Sequence, residues 1–174
     1  MTLVEKKILT FLGGHPERAF YTQEVAKSTR CSKASASGIL VAFSKKNIVF
    51  RDVRGHMKFY RINPKHVEVK RWKIDVALNA LRRLTAQMAR YAQTIILFGS
   101  ASRGEQTFNS DIDVFVLTNN KPEVQRIITK SRRRVKINVI TKTPSEWAAM
   151  EVREPEFYQQ IKSGITIHTH VPRI

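Results

Sequence analysis

The sequence predicts a mixed α/β (α+β) fold, and three features of its apolar pattern support that prediction. Across residues 3–12 the large apolar side chains recur every three or four positions, as on the buried face of a helix. Across residues 48–62 they recur at nearly every second position, which is typical of β-strands. Residues 94–98 and 111–117 are rich in apolar side chains, as buried strands are. Helices and strands are therefore both expected.

The first domain is predicted to span residues 1–65 and to contain three helices followed by a hairpin. The second and third helices begin at Thr22 and Ser32, which are residue types that cap helix N-termini. The hairpin is expected to turn tightly at Arg54-Gly55. Three helices followed by a basic hairpin resemble a winged helix-turn-helix domain.

The third helix and the hairpin are the expected nucleic-acid-binding surface of this domain. In the winged helix-turn-helix family the third helix enters the DNA major groove and the tip of the hairpin contacts the DNA backbone. The resemblance therefore implies that this domain binds nucleic acid, with DNA favoured, through polar and basic side chains. These side chains are Ser32, Lys33, Ser35, Ser37, Lys45, Lys46, Arg51, Arg54 and Lys58. Contact with another protein is the alternative, because winged helices also mediate protein contacts.

The charge of the chain also favours a polyanionic partner. The 174 residues carry a net charge of +17, from 31 Lys and Arg side chains against 14 Asp and Glu side chains. Nucleic acid is the first candidate and nucleotide phosphates are the second. Residues 1–66 hold 13 basic and 4 acidic side chains, so this part is the expected polyanion-binding region. Cys31 is the only cysteine, and no apolar run is long enough to span a membrane, so we expect a cytoplasmic protein that does not bind membranes.

Residues 66–91 are predicted to form one long helix that connects the two domains. Apolar residues from Val69 through Trp72 and Val76 to Met88 recur at spacings close to the helical repeat, and no Gly or Pro interrupts them. The resulting apolar stripe is expected to pack against one or both domains or against a second subunit. The last alternative would make the protein a homodimer.

The second domain is predicted at residues 92–174, and a Gly-Ser turn and an Asp-x-Asp pair carry its chemistry. Gly99-Ser100 ends the strand at residues 94–98, and Asp111-Ile112-Asp113 follows after ten intervening residues. Residues two apart on a strand face the same side, so Asp111 and Asp113 are expected to project their carboxylates together. Two adjacent like charges favour a cation between them, and Mg²⁺ (or Mn²⁺) prefers carboxylate and phosphate oxygens.

The residues around the Gly-Ser turn have the properties of a triphosphate site. Gly99 has no side chain, so a phosphate could approach the backbone there. Ser100 supplies a hydroxyl, and Arg103 can clamp a phosphate with two hydrogen bonds. Three arginines at residues 132–134 form a basic turn that could hold a triphosphate or a polynucleotide backbone.

The stretch from Gly99-Ser100 to Ser110-Asp111-Ile112-Asp113 resembles the nucleotidyltransferase superfamily that includes DNA polymerase beta, and is most similar to its small prokaryotic members. The resemblance implies that two metal ions assist a hydroxyl in attacking the α-phosphate of a nucleoside triphosphate (NTP). It also implies metal binding and catalysis by Asp111 and Asp113, with nucleotide contacts from Gly99, Ser100, Arg103 and Ser110. The acceptor would be a protein, an RNA or a small molecule, and a small helical protein is an expected partner.

Asn138 departs from the pattern of this superfamily. A third carboxylate usually lies on a neighbouring strand, where it helps to bind the metal and can accept the proton of the attacking hydroxyl. Asn138 occupies that place in the strand predicted at residues 134–140, and an amide cannot act as a base. Glu105 or Glu146 would have to replace it, or activity would be weak or absent. The alternative function is therefore a DNA-binding transcriptional regulator whose transferase domain senses nucleotide or dimerises.

Overall fold

The computed structural model describes residues 1–107, 110–131 and 135–170. The chain divides into two compact units, Met1–Arg71 and Trp72–Ile174. The described residues contain both helices and sheets, so the predicted α/β class is confirmed. The basic turn predicted at residues 132–134 lies outside the described residues. No helix in the described part of the chain is both long enough and apolar enough to cross a membrane.

The first unit combines helices with a three-stranded antiparallel sheet of order β1-β3-β2. Its elements are α1 (Leu3–Gly13), β1 (Phe20–Tyr21), α2 (Thr22–Thr29), α3 (Lys33–Lys45), β2 (Val49–Arg54) and β3 (Met57–Ile62). Ser32 caps α3, because its hydroxyl accepts a hydrogen bond from the Ser35 amide at 3.1 Å. At the tip of the hairpin Gly55 has a φ of +60°, as a tight turn requires.

A long helix, α4 (Val67–Met88), runs from the first unit into the second. Within the second unit its buried face consists of Ala77, Leu81, Leu84 and Met88. The stripe predicted from the sequence was wrong at Val76, which is 47% exposed. A helix turns by about 100° per residue, so Trp72 and Val76 lie about 140° and about 100° around the helix from Ala77, and a series of four-residue steps from Trp72 reaches the buried face only at Leu84.

The second unit is built on a four-stranded mixed sheet of order β6-β5-β4-β7. Its further elements are β4 (Thr94–Phe98), α5 (Gly99–Ser102), β5 (Ile112–Leu117), α6 (Lys121–Lys130), β6 (Ile137–Lys142), α7 (Pro144–Arg153), α8 (Pro155–Lys162) and β7 (Ile165–Thr169). β4 runs antiparallel to β5 and β7, whereas β5 and β6 are parallel.

Apolar layers cover both faces of this sheet. On one face Ile95 and Leu97 pack with α4 and with Val124 of α6, and on the other Ile96 and Phe98 pack with residues of α7 and α8. Burial on both faces explains why β4 is a nearly continuous apolar run. Polar side chains that do chemistry must therefore lie at the ends of the strands.

Gly164 lies in the tight connection between α8 and β7, and we expect its replacement by alanine to lower the stability of the second unit. An added Cβ would lie 2.7 Å from Cγ2 of Ile96 and still closer to the Leu97 carbonyl oxygen. Such overpacking costs about 1–3 kcal/mol. Urea unfolding followed by tryptophan fluorescence measures this unit, because Trp72 and Trp147 both belong to it.

The matched control is Gly38→Ala in α3. A Cβ at Gly38 would meet no atom within 4 Å, so this variant should leave the tryptophan-monitored midpoint unchanged. A Gly164→Ala midpoint equal to that of the wild type would contradict the close approach of Gly164 to β4.

Candidate active site

The Gly99 turn begins the site at the end of β4. Gly99 has a φ of +71°, a left-handed conformation that side chains other than glycine rarely adopt. The Ser102 hydroxyl donates to the Gly99 carbonyl oxygen at 2.8 Å, and the Glu105 amide donates to the Ser100 carbonyl oxygen at 2.9 Å. These hydrogen bonds fix the path of the backbone, so the turn is an ordered feature of the chain.

The Asp113 carboxylate lies directly against this turn. Phe98 and Asp113 are paired across β4 and β5, which brings the carboxylate beside the next residue, Gly99. A Cβ built on Gly99 would be only 2.7 Å from Oδ2 of Asp113. The absence of a side chain at Gly99 therefore makes room for the carboxylate.

Asn138 contacts Asp113 from the other side. Asp113 and Asn138 are partners in the parallel pairing of β5 and β6, and the Asn138 amide donates to Oδ1 of Asp113 at 3.1 Å. The parallel register thus places an amide beside Asp113 in a position where a carboxylate could have shared a cation with it. The two oxygens of Asp113 face different neighbours, Oδ2 towards Gly99 and Oδ1 towards Asn138.

Asp111 lies just outside β5. The strand begins at Ile112, one residue later than predicted, and the Ile112 amide donates to the Lys136 carbonyl oxygen at 3.0 Å. Asp111 is exposed, whereas Asp113 is partly buried. No group of three or more His, Cys, Asp or Glu side chains suited to a metal ion is found among residues 1–107, 110–131 and 135–170. Of the two predicted acids, Asp113 is the one whose carboxylate contacts the Gly99 turn and Asn138.

The other predicted nucleotide contacts are held in local interactions. Nε of Arg103 lies 2.9 Å from Oε2 of Glu105, and both side chains are about half exposed. The Ser110 hydroxyl accepts a hydrogen bond from the Thr107 amide at 2.9 Å. Arg103 is thus close in sequence to the Gly99 turn but bonded to Glu105, and the Ser110 hydroxyl is bonded to Thr107.

Glu146, considered above as a substitute base, lies at the other end of the sheet. It belongs to the first turn of α7, which follows the last residue of β6, whereas Asn138 is near the first. Its carboxylate accepts a hydrogen bond from Lys121 at 2.7 Å and another from the Thr143 amide at 2.7 Å. These interactions, that of Lys121 being the largest, lower the pKa of Glu146 to about 2. Glu146 is therefore too weak a base, and too far from Asp113, to replace the third carboxylate.

Two hydrogen bonds between Lys73 and Gln106 were not predicted from the sequence. Nζ of Lys73 donates to the Gln106 carbonyl oxygen at 3.0 Å, and Nε2 of Gln106 donates to the Lys73 carbonyl oxygen at 2.8 Å. They tie the loop between the Gly99 turn and Asp111 to α4. Because the two residues are 33 positions apart, no local pattern in the sequence indicates the contact.

The predicted nucleic-acid-binding residues of the first unit do not all share one face. Arg51 is paired with Tyr60, and Lys58 with Val53, so the register places Arg51 and Lys58 on the same side of the sheet. Arg54 is on the opposite side, where it pairs with Asp52 at 2.8 Å and lowers the pKa of that carboxyl group. On α3, Lys33 is exposed near the first turn, Lys45 and Lys46 are exposed at the end, and Ser35 and Ser37 are partly buried. Ser32 is exposed but occupied in capping.

The sequence matches one family model, that of the nucleotidyltransferase domain, over residues 78–166, which is half of the chain. The chain belongs to the nucleotidyltransferase family. The matched nucleotidyltransferase domain begins within α4, ends within β7, and includes the Gly99 turn, Asp111, Asp113 and Asn138. No curated protein matches the sequence of this chain.

Three solved structures are distantly similar to this chain. A protein from Sulfolobus solfataricus, provisionally classed as a nucleotidyltransferase, has 17% identity and a TM-score of 0.35, covering 60% of this chain and 86% of its own. A provisionally classed transcriptional regulator from Rhodococcus sp. RHA1 has 14% identity and a TM-score of 0.33, covering 76% and 62%. Human N-acetylserotonin methyltransferase, in complex with SAM, has 14% identity and a TM-score of 0.32, covering 51% and 30%. The chain thus spans less than two thirds of the methyltransferase and of the regulator, and all three scores are too low to identify a function.

Proposed function

We propose that this chain transfers a nucleoside monophosphate from an NTP to a hydroxyl group of a protein, an RNA or a small molecule. The observation that carries the proposal is the contact between the Gly99 turn and the Asp113 carboxylate. A backbone without a side chain and a carboxylate on the adjacent strand together form a place where phosphate oxygens and a cation can be bound side by side. Family membership agrees with this chemistry.

The residues present fit a divalent cation such as Mg²⁺ or Mn²⁺. Asp111 and Asp113 supply carboxylate oxygens, and the side-chain carbonyl of Asn138 is a further oxygen donor of the kind these ions prefer. When bound there, the ion would neutralise phosphate charge and polarise the phosphate under attack. Asp113 holds the position nearest the turn, since Gly99 packs against it on one side and Asn138 donates to it on the other.

The triphosphate is proposed to bind along the turn. Gly99 is itself buried, so the accessible part of the turn begins at Ser100, which is partly exposed at the start of α5 and contributes its hydroxyl. Arg103 pairs with Glu105 at the surface, where an ion pair is worth at most about 1 kcal/mol, so its guanidinium can turn to a phosphate at little cost. Ser110 is assigned the supporting role of shaping the loop before Asp111.

Transfer of labelled nucleotide tests the proposal. The protein is incubated with each α-labelled NTP, Mg²⁺ and candidate acceptors, including small helical proteins, and the Asp111→Ala plus Asp113→Ala variant is compared with the wild type. We expect label transfer by the wild type and its loss, by at least about a hundredfold, in the variant.

The matched control is Asp75→Ala plus Glu151→Ala, which removes two exposed acids from α4 and α7 and should retain full activity. Absence of both transfer and Mg²⁺-dependent nucleotide binding in the wild type would refute the proposal.

A DNA-binding regulator with a weakened transferase domain is the second candidate, and two observations favour it. The first unit has the order α1-β1-α2-α3-β2-β3 that is typical of a winged helix-turn-helix domain, with the lysines of α3 exposed. Asn138 also stands where a third acid would support catalysis. In the same experiment, duplex DNA binding unaffected by the Asp variants, together with no transfer, would favour this candidate. Sedimentation of the full chain would test whether it forms the proposed homodimer.

A further inference from the structure

A groove of about 730 Å³ lies between α4 and α6 in the second unit, away from the Gly99 turn. Its apolar lining includes Leu84 of α4, Ile127 of α6 and Ile137 of β6. Its cationic lining residues are Arg83, Arg90, Arg126 and Lys130. The groove thus combines an apolar floor with basic edges.

The cations form two ridges that follow from helix geometry. Arg83 and Gln87 are four residues apart on α4, and Arg90 lies just beyond the end of that helix; Glu123, Arg126 and Lys130 follow one another at intervals of three and four residues on α6. Residues at these spacings share one face of a helix, so both ridges border the same groove. Two cations therefore lie on each side of an apolar floor.

Most of this positive charge is not compensated within the described residues. Glu123 is the acid that lines the groove, and its Oε2 forms an ion pair with Nη2 of Arg126 at 2.9 Å. Arg83, Arg90 and Lys130 are exposed, and their side chains form no ion pair in the part of the chain that the structure describes. Uncompensated cations around one groove repel each other, and a polyanion that enters it removes this cost.

The floor of the groove favours a single-stranded polynucleotide over other polyanions. Proteins that bind single strands combine a cationic groove for the phosphates with apolar and aromatic surfaces on which bases stack. The partly buried ring of Tyr91 lines this groove beside the apolar residues. A duplex exposes its phosphates but not the faces of its bases, and an acidic protein segment has no planar groups to match such a floor.

The groove reaches the start of β6, which is the edge strand beside β5, and Val135 and Ile137 line it there. Successive side chains of a strand point to opposite faces, so Asn138, which donates to Oδ1 of Asp113, lies on the other face of the sheet. A polynucleotide in the groove would therefore reach Asp113 around the edge formed by β6. We propose that the acceptor hydroxyl belongs to a single-stranded polynucleotide whose backbone lies in the groove between α4 and α6. This inference rests on the proposed transferase function and names the acceptor class.

Binding of a fluorescent, unstructured oligoribonucleotide of about 12 nucleotides to the full chain tests the inference without nucleotide or metal. The groove variant carries Arg83→Gln, Arg90→Gln and Lys130→Gln. We expect it to bind on the order of thirtyfold more weakly, with the slope of log affinity against log salt smaller by about 2, since each phosphate contact on a single strand contributes about 0.7. Its affinity for duplex DNA should stay within about threefold of the wild type.

The matched variant Arg82→Gln, Arg153→Gln and Lys162→Gln removes the same charge from exposed positions outside the groove. Equal loss of affinity in both variants, or competition by polyglutamate as strong as by unlabelled RNA, would overturn the inference. So would an enzyme that labels other acceptors but never the oligonucleotide. Retained groove binding by the Asp111→Ala plus Asp113→Ala variant keeps the two proposals distinguishable, because that variant should lose transfer and not binding.

Discussion

Replacing Gly99 by alanine is expected to abolish most nucleotidyl transfer while the second unit remains folded. The new Cβ would lie 2.7 Å from Oδ2 of Asp113, so the carboxylate must rotate away from the turn. The φ of +71° at this position also costs an alanine about 1–2 kcal/mol. Displacing a reacting group by about 1 Å can lower the rate a hundredfold, and this displacement moves Asp113 away from the turn. We therefore expect kcat/KM to fall by about a hundredfold or more, measured by label transfer.

Gly55→Ala is the control that distinguishes the effect of backbone strain from the effect of displacing the Asp113 carboxylate. Gly55 has a similar φ of +60°, but a Cβ there would meet no atom within 4 Å. This variant should therefore carry a similar local strain and keep wild-type transfer. If Gly99→Ala retained more than about a third of wild-type kcat/KM, Asp113 would not need the position that it has in the structure.

The parts of the fold that the sequence predicted are those specified by local pattern. β4 and β5 are apolar runs of strand length, and both faces of the sheet that contains them are buried. The Asp-x-Asp pair and the Gly-Ser turn were recognised together because their spacing is fixed along the chain. Pairing of Phe98 with Asp113 then brings the two motifs into contact, as an antiparallel neighbour must.

What the sequence could not predict depends on register and on distant contacts. The buried stripe of α4 was misplaced because a series of four-residue steps through Trp72 and Val76 begins outside the face that Leu81 and Leu84 define. The bonds between Lys73 and Gln106 join segments that are far apart in the chain. The Arg103–Glu105 pair is local, but whether an exposed arginine meets a neighbour or a ligand is decided by small energies that no pattern encodes.

Asn138 was singled out from the sequence, and the structure shows what its side chain contacts. The residue was singled out because the superfamily has an acid there, and its place follows from the parallel pairing of β5 with β6. The structure adds that its side-chain amide donates to Asp113. Asn138 therefore orients the Asp113 carboxylate and adds no second negative charge beside it. A hydrogen bond of this kind fixes Asp113 when no cation is bound, whereas a carboxylate in the same place would repel it.

Asn138→Asp is therefore expected to increase transfer. The new carboxylate would share the cation with Asp113 and could accept the proton of the attacking hydroxyl, a role that contributes about 10²–10⁴-fold in enzymes. We expect kcat to rise by about a hundredfold in Mg²⁺, with tighter Mg²⁺ binding and a lower unfolding midpoint when Mg²⁺ is absent. The loss of stability follows because the Nδ2–Oδ1 hydrogen bond at 3.1 Å is replaced by two like charges.

Asn138→Ala is the control that assigns this gain to the acid. It removes the same hydrogen bond without adding a charge, so it should lower the rate or leave it unchanged, and Mg²⁺ should not restore stability as it does for Asn138→Asp. An Asn138→Asp variant that binds Mg²⁺ more tightly but transfers no label would show that the site lacks more than a third carboxylate. That outcome would favour the regulator, because a nucleotide-sensing domain needs the cation and the Gly99 turn but no base.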